Sequence, residues 1–105
     1  MNGRLHGKVT VVTGGGTGIG EAICRKFGRE DAKVVVNGLP GDPLENVAAD
    51  IVKEGGQALA FAGDVSEEAS ARACVEAAIE HFGQLDVLIN NAGVLLVNAE
   101  TDDMP

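Results

Sequence analysis

The sequence predicts an α/β protein in which helices cover both faces of a parallel β-sheet. Three observations support this prediction. Short apolar runs alternate with segments of helical periodicity, no repeat or linker interrupts them, and a glycine-rich stretch joins the first run to the first helical segment. Alternating strands and helices imply right-handed crossovers and therefore parallel strands. We expect one three-layer α/β/α domain over residues 1–105, in the order β-α-β-α-β-α-β.

Four apolar runs have the length and flanking residues of strands: residues 8–13, 33–37, 57–63 and 85–90. The first two are rich in valine and almost continuously apolar, which is typical of strands buried on both faces. The last dozen residues, VLLVNAETDDMP, show no clear element. We therefore predict four strands.

Three helices are predicted between the strands. Apolar residues recur at helical spacing in stripes that start at Ile19, Leu44 and Val75. The first helix ends near Asp31, where a glycine would most easily take the left-handed conformation and an aspartate takes it at some cost.

The other two helices carry recognisable end signals. The second is predicted to begin with Asp42 as N-cap and Pro43 in the first helical position. The third is predicted to begin with Ser66 as N-cap and to end just before Gly83.

Composition excludes several classes of partner. The net charge is −8 and no basic cluster occurs, so binding to nucleic acid or to an anionic membrane is not expected. No run approaches the ~20 apolar residues of a membrane span, and the N-terminus lacks a secretory core, which favours the cytoplasm. Cys24 and Cys74 are fifty positions apart, so we expect buried thiols and no metal site.

Residues 13–20, TGGGTGIG, contain five glycines between the first strand and the first helix. The start of a helix presents unpaired N–H groups and a partial positive charge, and bare backbone allows a pyrophosphate to approach them. Gly14 would make the turn, Gly18 would admit the phosphates and Gly20 would allow close packing of the helix. The alternative is a tight turn that binds no ligand.

This turn, together with Asp64-Val65 and Asn90-Asn91-Ala92-Gly93, resembles the short-chain dehydrogenase/reductase family, and the resemblance covers residues 6 to about 97. It implies part of a Rossmann-type sheet with strand order 3-2-1-4 that binds NAD(H) or NADP(H). It also implies an unpaired edge on the fourth strand, through which two copies could associate.

The resemblance implies three groups of cofactor-binding residues. The first surrounds the pyrophosphate and the adjoining ribose, the second lies at the adenine, and the third lines the ribose next to the nicotinamide. In that order they are Gly14, Gly16, Thr17, Ile19 and Gly20; Asp64 and Val65; and Asn91, Ala92 and Gly93. For Asp64, a purely structural role in the turn before Ser66 is the alternative.

The chain departs from the family at the end of the second strand. There an acid binds the ribose of NAD, or an arginine binds the 2′-phosphate of NADP. This chain has Asn37, Gly38 and Leu39 instead, so either cofactor remains open. Asn37 and exposed backbone amides are candidates to receive the 2′-phosphate.

A second departure concerns the chemistry. The family uses a serine and a Tyr-x-x-x-Lys pair, yet the chain has no tyrosine, and His6 and His81 are poor candidates for acid/base work. We assign no catalytic residue. We expect the cofactor-binding part of an oxidoreductase acting on a carbonyl or alcohol, a fragment that stops before the catalytic half. The alternative is a stand-alone, non-catalytic dinucleotide-binding or interaction module.

Overall fold

A computed structural model describes residues 3–90 completely and residues 93–100 by their backbone. The described elements are β1 (Val9–Val12), α1 (Gly18–Arg29), β2 (Lys33–Gly38), α2 (Leu44–Lys53), β3 (Gln57–Ala62), α3 (Glu68–Phe82), β4 (Gln84–Asn90) and β5 (Gly93–Glu100). The four predicted strands and three predicted helices are confirmed. None of the helices described has the length and apolar character of a bilayer-spanning segment.

The sheet has the order β3-β2-β1-β4-β5, and its first four strands are parallel. The predicted order 3-2-1-4 is therefore confirmed. Val12 pairs with Val36 on one side and with Ile89 on the other, and Gly38 pairs with Ala62. This register brings the carboxyl ends of the four parallel strands to one edge, where ligands bind in open α/β sheets.

The sheet has a fifth strand that was not predicted, and the prediction of an unpaired edge on the fourth strand is wrong. β5 returns antiparallel along β4, from Asn90 opposite Gly93 to Gln84 opposite Glu100, with an irregularity between Leu85 and Val87. An antiparallel return needs only a short connection, and it satisfies backbone groups that β4 would otherwise leave exposed. In the described chain, β4 therefore has no open edge for a second copy.

Strand side chains alternate between two apolar clusters, one on each face of the sheet. Val12, Val34 and Val36 pack under α1 and α2, whereas Val9, Val11 and Val35 pack against α3. All four residues of β1 are buried, as its continuous apolar pattern predicted. Its one polar side chain is satisfied, because Thr10 Oγ1 donates a hydrogen bond of 3.2 Å to the Lys33 carbonyl.

The left-handed turn predicted at Asp31 is confirmed, with a φ of 66°. The predicted end of the third helix just before Gly83 is also confirmed, and Gly83 is left-handed, with a φ of 88°. Both predicted N-caps are wrong. Pro43 occupies the N-cap of α2, and Glu67 occupies that of α3, in each case without a side-chain cap. The side chains of Asp42 and Ser66 instead form hydrogen bonds within their own loops.

Two acidic residues at the end of α1 bind the backbone of Gly3 and Arg4. Glu30 Oε1 accepts a hydrogen bond of 2.9 Å from the Arg4 N–H, and Asp31 Oδ2 accepts one of 2.6 Å from the Gly3 N–H. Lys26 Nζ lies 3.3 Å from Glu30 Oε2. The Arg4 N–H, followed by Lys26, lowers the pKa of Glu30.

We expect Glu30→Gln to reduce stability at neutral pH but not at low pH. Because the pKa of Glu30 is lower in the folded state, its contribution is complete above the unfolded pKa, about 4.3, and disappears as pH falls through the folded value. Urea denaturation of both proteins across this range measures the difference. Glu80→Gln, which removes an exposed carboxylate from α3, is the control and should show a smaller change with pH. If the two proteins differed in free energy of unfolding by the same amount at low and at neutral pH, the stabilising role of the Glu30 carboxylate would be contradicted.

Candidate functional site

The glycine-rich turn is anchored to the strands on both sides of β1. The Thr13 N–H donates to the Ile89 carbonyl at 2.8 Å, and the Gly15 N–H donates to the Asn37 carbonyl at 2.6 Å. Gly14 adopts a φ of 64°, so the turn that the sequence predicted at this residue is confirmed. The turn is thus held at the carboxyl edge of the sheet by backbone hydrogen bonds.

Two glycines let α1 approach the sheet closely. A Cβ on Gly20 would overlap the Gly14 carbonyl oxygen and lie 2.6 Å from its carbonyl carbon, so the close packing predicted there is found. A Cβ on Gly15 would lie 2.9 Å from Cys24 Sγ. Cys24 is buried as expected, and burial raises the pKa of its thiol to about 12, so the thiol stays protonated at neutral pH.

The first turn of α1 leaves its first N–H groups unpaired, and two of the residues that carry them, Gly18 and Ile19, are exposed, whereas Gly20 is buried. Thr17 is its N-cap, with an extended φ of −144° and no side-chain hydrogen bond to the helix. The N–H groups of Gly18, Ile19 and Gly20 donate to no acceptor within the described chain. A Cβ on Gly18, whose φ is 55°, would meet nothing within 4 Å, and the Ile19 side chain is 77% exposed. Unpaired amides at an open helix start suit an anion.

The Asn37 side chain is buried and does not face the start of α1. The prediction that this side chain could receive a 2′-phosphate is therefore wrong. Asn37 is only 1% exposed, and its Nδ2 donates to the carbonyls of Phe61 at 2.9 Å and Gly63 at 3.3 Å. A buried amide must find such partners, because leaving it unpaired costs free energy. The side chain joins β2 to the end of β3.

Asp42 is a residue of this edge that the sequence analysis missed, since it was predicted as a helix cap. Its Oδ2 accepts a hydrogen bond of 3.0 Å from the Leu39 N–H. A Cβ on Gly16 would lie 3.2 Å from Asp42 Cβ, and a Cβ on Gly38 would lie 2.9 Å from Asp42 Oδ2. The sequence signal was an acid shortly after the second strand, in combination with a glycine at the strand end.

Asp64 and Val65 follow β3 at the same edge. Asp64 is exposed, and its Oδ1 accepts hydrogen bonds from the Ser66 hydroxyl at 2.6 Å and from the Ser66 N–H at 3.0 Å. These bonds, the hydroxyl's first, lower the pKa of Asp64. The Val65 side chain is partly buried and packs against the cluster under α3. The structure therefore contains the turn that was the alternative role of Asp64.

Most of the group predicted to line the ribose next to the nicotinamide lies outside the described residues. Asn91 and Ala92 lie outside the described residues, and for Gly93 only the backbone, at the start of β5, is given. Thr17, Ile19 and Asp64, by contrast, all lie on loops or a helix start at the carboxyl edge.

A glycine-rich turn at the carboxyl edge of a parallel sheet, where the first strand enters a helix, is characteristic of a Rossmann-type domain. The family model described as short chain dehydrogenase matches residues 8–104. The chain therefore belongs to the short-chain dehydrogenase family.

Known proteins resemble the chain over most of its length. It is 42% identical over 101 residues to glucose 1-dehydrogenase 2 of Bacillus subtilis, covering 95% of this chain and 39% of that protein. The hydroxysteroid dehydrogenase of Escherichia coli superimposes with a TM-score of 0.79 at 38% identity, covering 83% of this chain and 37% of the other.

A further solved structure, 3-ketoacyl-(acyl-carrier-protein) reductase of Brucella melitensis complexed with NADH, superimposes with a TM-score of 0.72 at 44% identity. It covers 80% of this chain and 33% of the reductase. The chain spans between 34% and 39% of the length of five curated relatives that it matches.

We expect Gly20→Ala to lower the free energy of unfolding by about 1–3 kcal/mol, as overpacking does. The new methyl group would meet the backbone carbonyl of Gly14, which has no rotamer through which to move away. Ala22→Ser, on an exposed position of the same helix, should change stability by less than about 0.5 kcal/mol. Urea denaturation compares the variants, and a Gly20→Ala protein as stable as the parent would rule out the close contact.

Proposed function

We propose that this chain is the NAD(P)-binding portion of an oxidoreductase of the short-chain dehydrogenase family. The observation that carries the proposal is the pair of unpaired N–H groups at the exposed residues Gly18 and Ile19, at a helix start where Gly18 has open space in place of a side chain. Two negatively charged phosphates are the groups that such a helix start binds best. The NADH-complexed reductase of similar fold supports a nicotinamide dinucleotide as the ligand.

The remaining predicted residues take roles along the dinucleotide. We propose that Asp64 accepts a hydrogen bond from the adenine amino group through Oδ2, since Oδ1 is occupied by Ser66. A lowered pKa keeps Asp64 ionised and able to accept at neutral pH. The Val65 backbone contacts the adenine, and Asn91, Ala92 and Gly93 contact the ribose next to the nicotinamide.

When bound, a nicotinamide dinucleotide supplies the hydride for reduction of a carbonyl or accepts it from an alcohol. The residues of this chain bind and orient that cofactor. Proton transfer in the family uses a tyrosine, and the 105 residues contain none. The alternative that the sequence left open, a non-catalytic dinucleotide-binding module, would use the same site without turnover.

We expect the chain to bind NADH or NADPH at or below millimolar concentration, and Gly18→Val to abolish this binding. A branched side chain at Gly18 would stand in front of the free amides and would be strained at a φ of 55°. Nicotinamide fluorescence and calorimetry measure the dissociation constants.

Gly55→Val is the matched control. Gly55 has a φ of 96°, and a Cβ there would also meet nothing within 4 Å, but the residue follows α2 at the opposite edge of the sheet. It should cause similar backbone strain and leave binding intact. Absence of binding by a parent chain whose circular dichroism shows it to be folded would refute the proposed function.

A further inference from the structure

The end of β2 lacks the side chain that distinguishes the two nicotinamide cofactors in this kind of domain. An acidic residue there bonds to the 2′-hydroxyl of the adenosine ribose in NAD-binding proteins. In this chain β2 ends at Gly38, which has no side chain, and the preceding residue, Asn37, is buried and bonded to β3. A different residue would have to supply the carboxylate.

Asp42 places a carboxylate in the space that a side chain at residue 38 would occupy. A Cβ on Gly38 would lie 2.6 Å from Leu44 Cδ2 and 2.9 Å from Asp42 Oδ2. The loop of residues 39–43 therefore folds back so that its acid stands beside the strand end. The glycine at residue 38 leaves room for this carboxylate and for the Leu44 side chain.

The carboxylate of Asp42 is held in position and still has an oxygen to offer. Oδ2 accepts the Leu39 N–H at 3.0 Å, and a Cβ on Gly16 would lie 3.2 Å from Asp42 Cβ, so the side chain is packed against the glycine-rich turn. Oδ1 accepts no hydrogen bond from any group in the described chain. That oxygen is available to a hydroxyl donor.

No cation is present in the segments around this carboxylate. Neither residues 13–20 nor residues 37–46 contain a lysine or arginine, and the second segment contributes Glu45 as well as Asp42. A 2′-phosphate would bring about two negative charges next to these carboxylates without a compensating cation, whereas a 2′-hydroxyl can donate a hydrogen bond.

We propose that Asp42 is a specificity-determining residue that selects NAD over NADP. Its Oδ1 accepts a hydrogen bond from the ribose 2′-hydroxyl, and its charge repels a 2′-phosphate at the same place. This inference rests on the proposed function, because it concerns the same bound dinucleotide.

The test is a comparison of NADH and NADPH dissociation constants in the full 105-residue chain, measured by nicotinamide fluorescence and calorimetry. The parent chain should bind NADH at least about tenfold more tightly than NADPH, the value of one charge-assisted hydrogen bond. Asp42→Asn keeps an acceptor for the Leu39 N–H and should reduce that ratio about tenfold. Glu45→Gln removes one negative charge from the first turn of α2 and should leave the ratio of the two dissociation constants nearly unchanged.

Equal binding of NADH and NADPH by the parent chain would overturn the inference while leaving the proposed function intact. The same holds if Asp42→Asn and Glu45→Gln change the ratio equally. Binding of neither cofactor by the folded parent would overturn both.

Discussion

The contact between Gly20 and the Gly14 carbonyl is the constraint on which the rest of the site depends. It brings the first turn of α1 against the turn that follows β1. The unpaired amides of that first helical turn therefore lie at the edge of the sheet and not above it. Any side chain at residue 20 would move the helix away from the carbonyl. A helix start has about half a positive charge, which acts only within the first turn, so a small displacement would separate it from its ligand.

A second constraint is the buried amide of Asn37. Its side chain bonds to the end of β3 while its carbonyl accepts the Gly15 N–H, so one residue connects three neighbouring segments at the carboxyl edge. This use of Asn37 removes it from contact with ligand. The proposed contact with the ribose therefore falls to the loop that follows, whose acid is Asp42.

Much of the fold could be predicted because strands and helices differ in their apolar period. The valine runs of β1 and β2 and the stripes of α1 and α2 depend on neighbouring residues alone. β5 could not be predicted in this way, because a short apolar run near the chain end becomes a strand only when β4 offers backbone groups to pair with. The caps failed for a related reason, since Asp42 and Ser66 bond within their loops instead of to the helices.

By itself, the sequence determined the order of the elements, the parallel sheet and the glycine-rich turn, because each depends on local conformation and on alternation along the chain. Only the tertiary structure decided which side chains reach the site. Asn37 and Asp42 are both polar residues near the end of β2, and nothing in their spacing separates them. The fold buries Asn37 between strands, because its side chain bonds to the carbonyl of Phe61, which is distant in the sequence. It turns Asp42 back beside Gly38, because the Asp42 carboxylate accepts the Leu39 N–H across the loop.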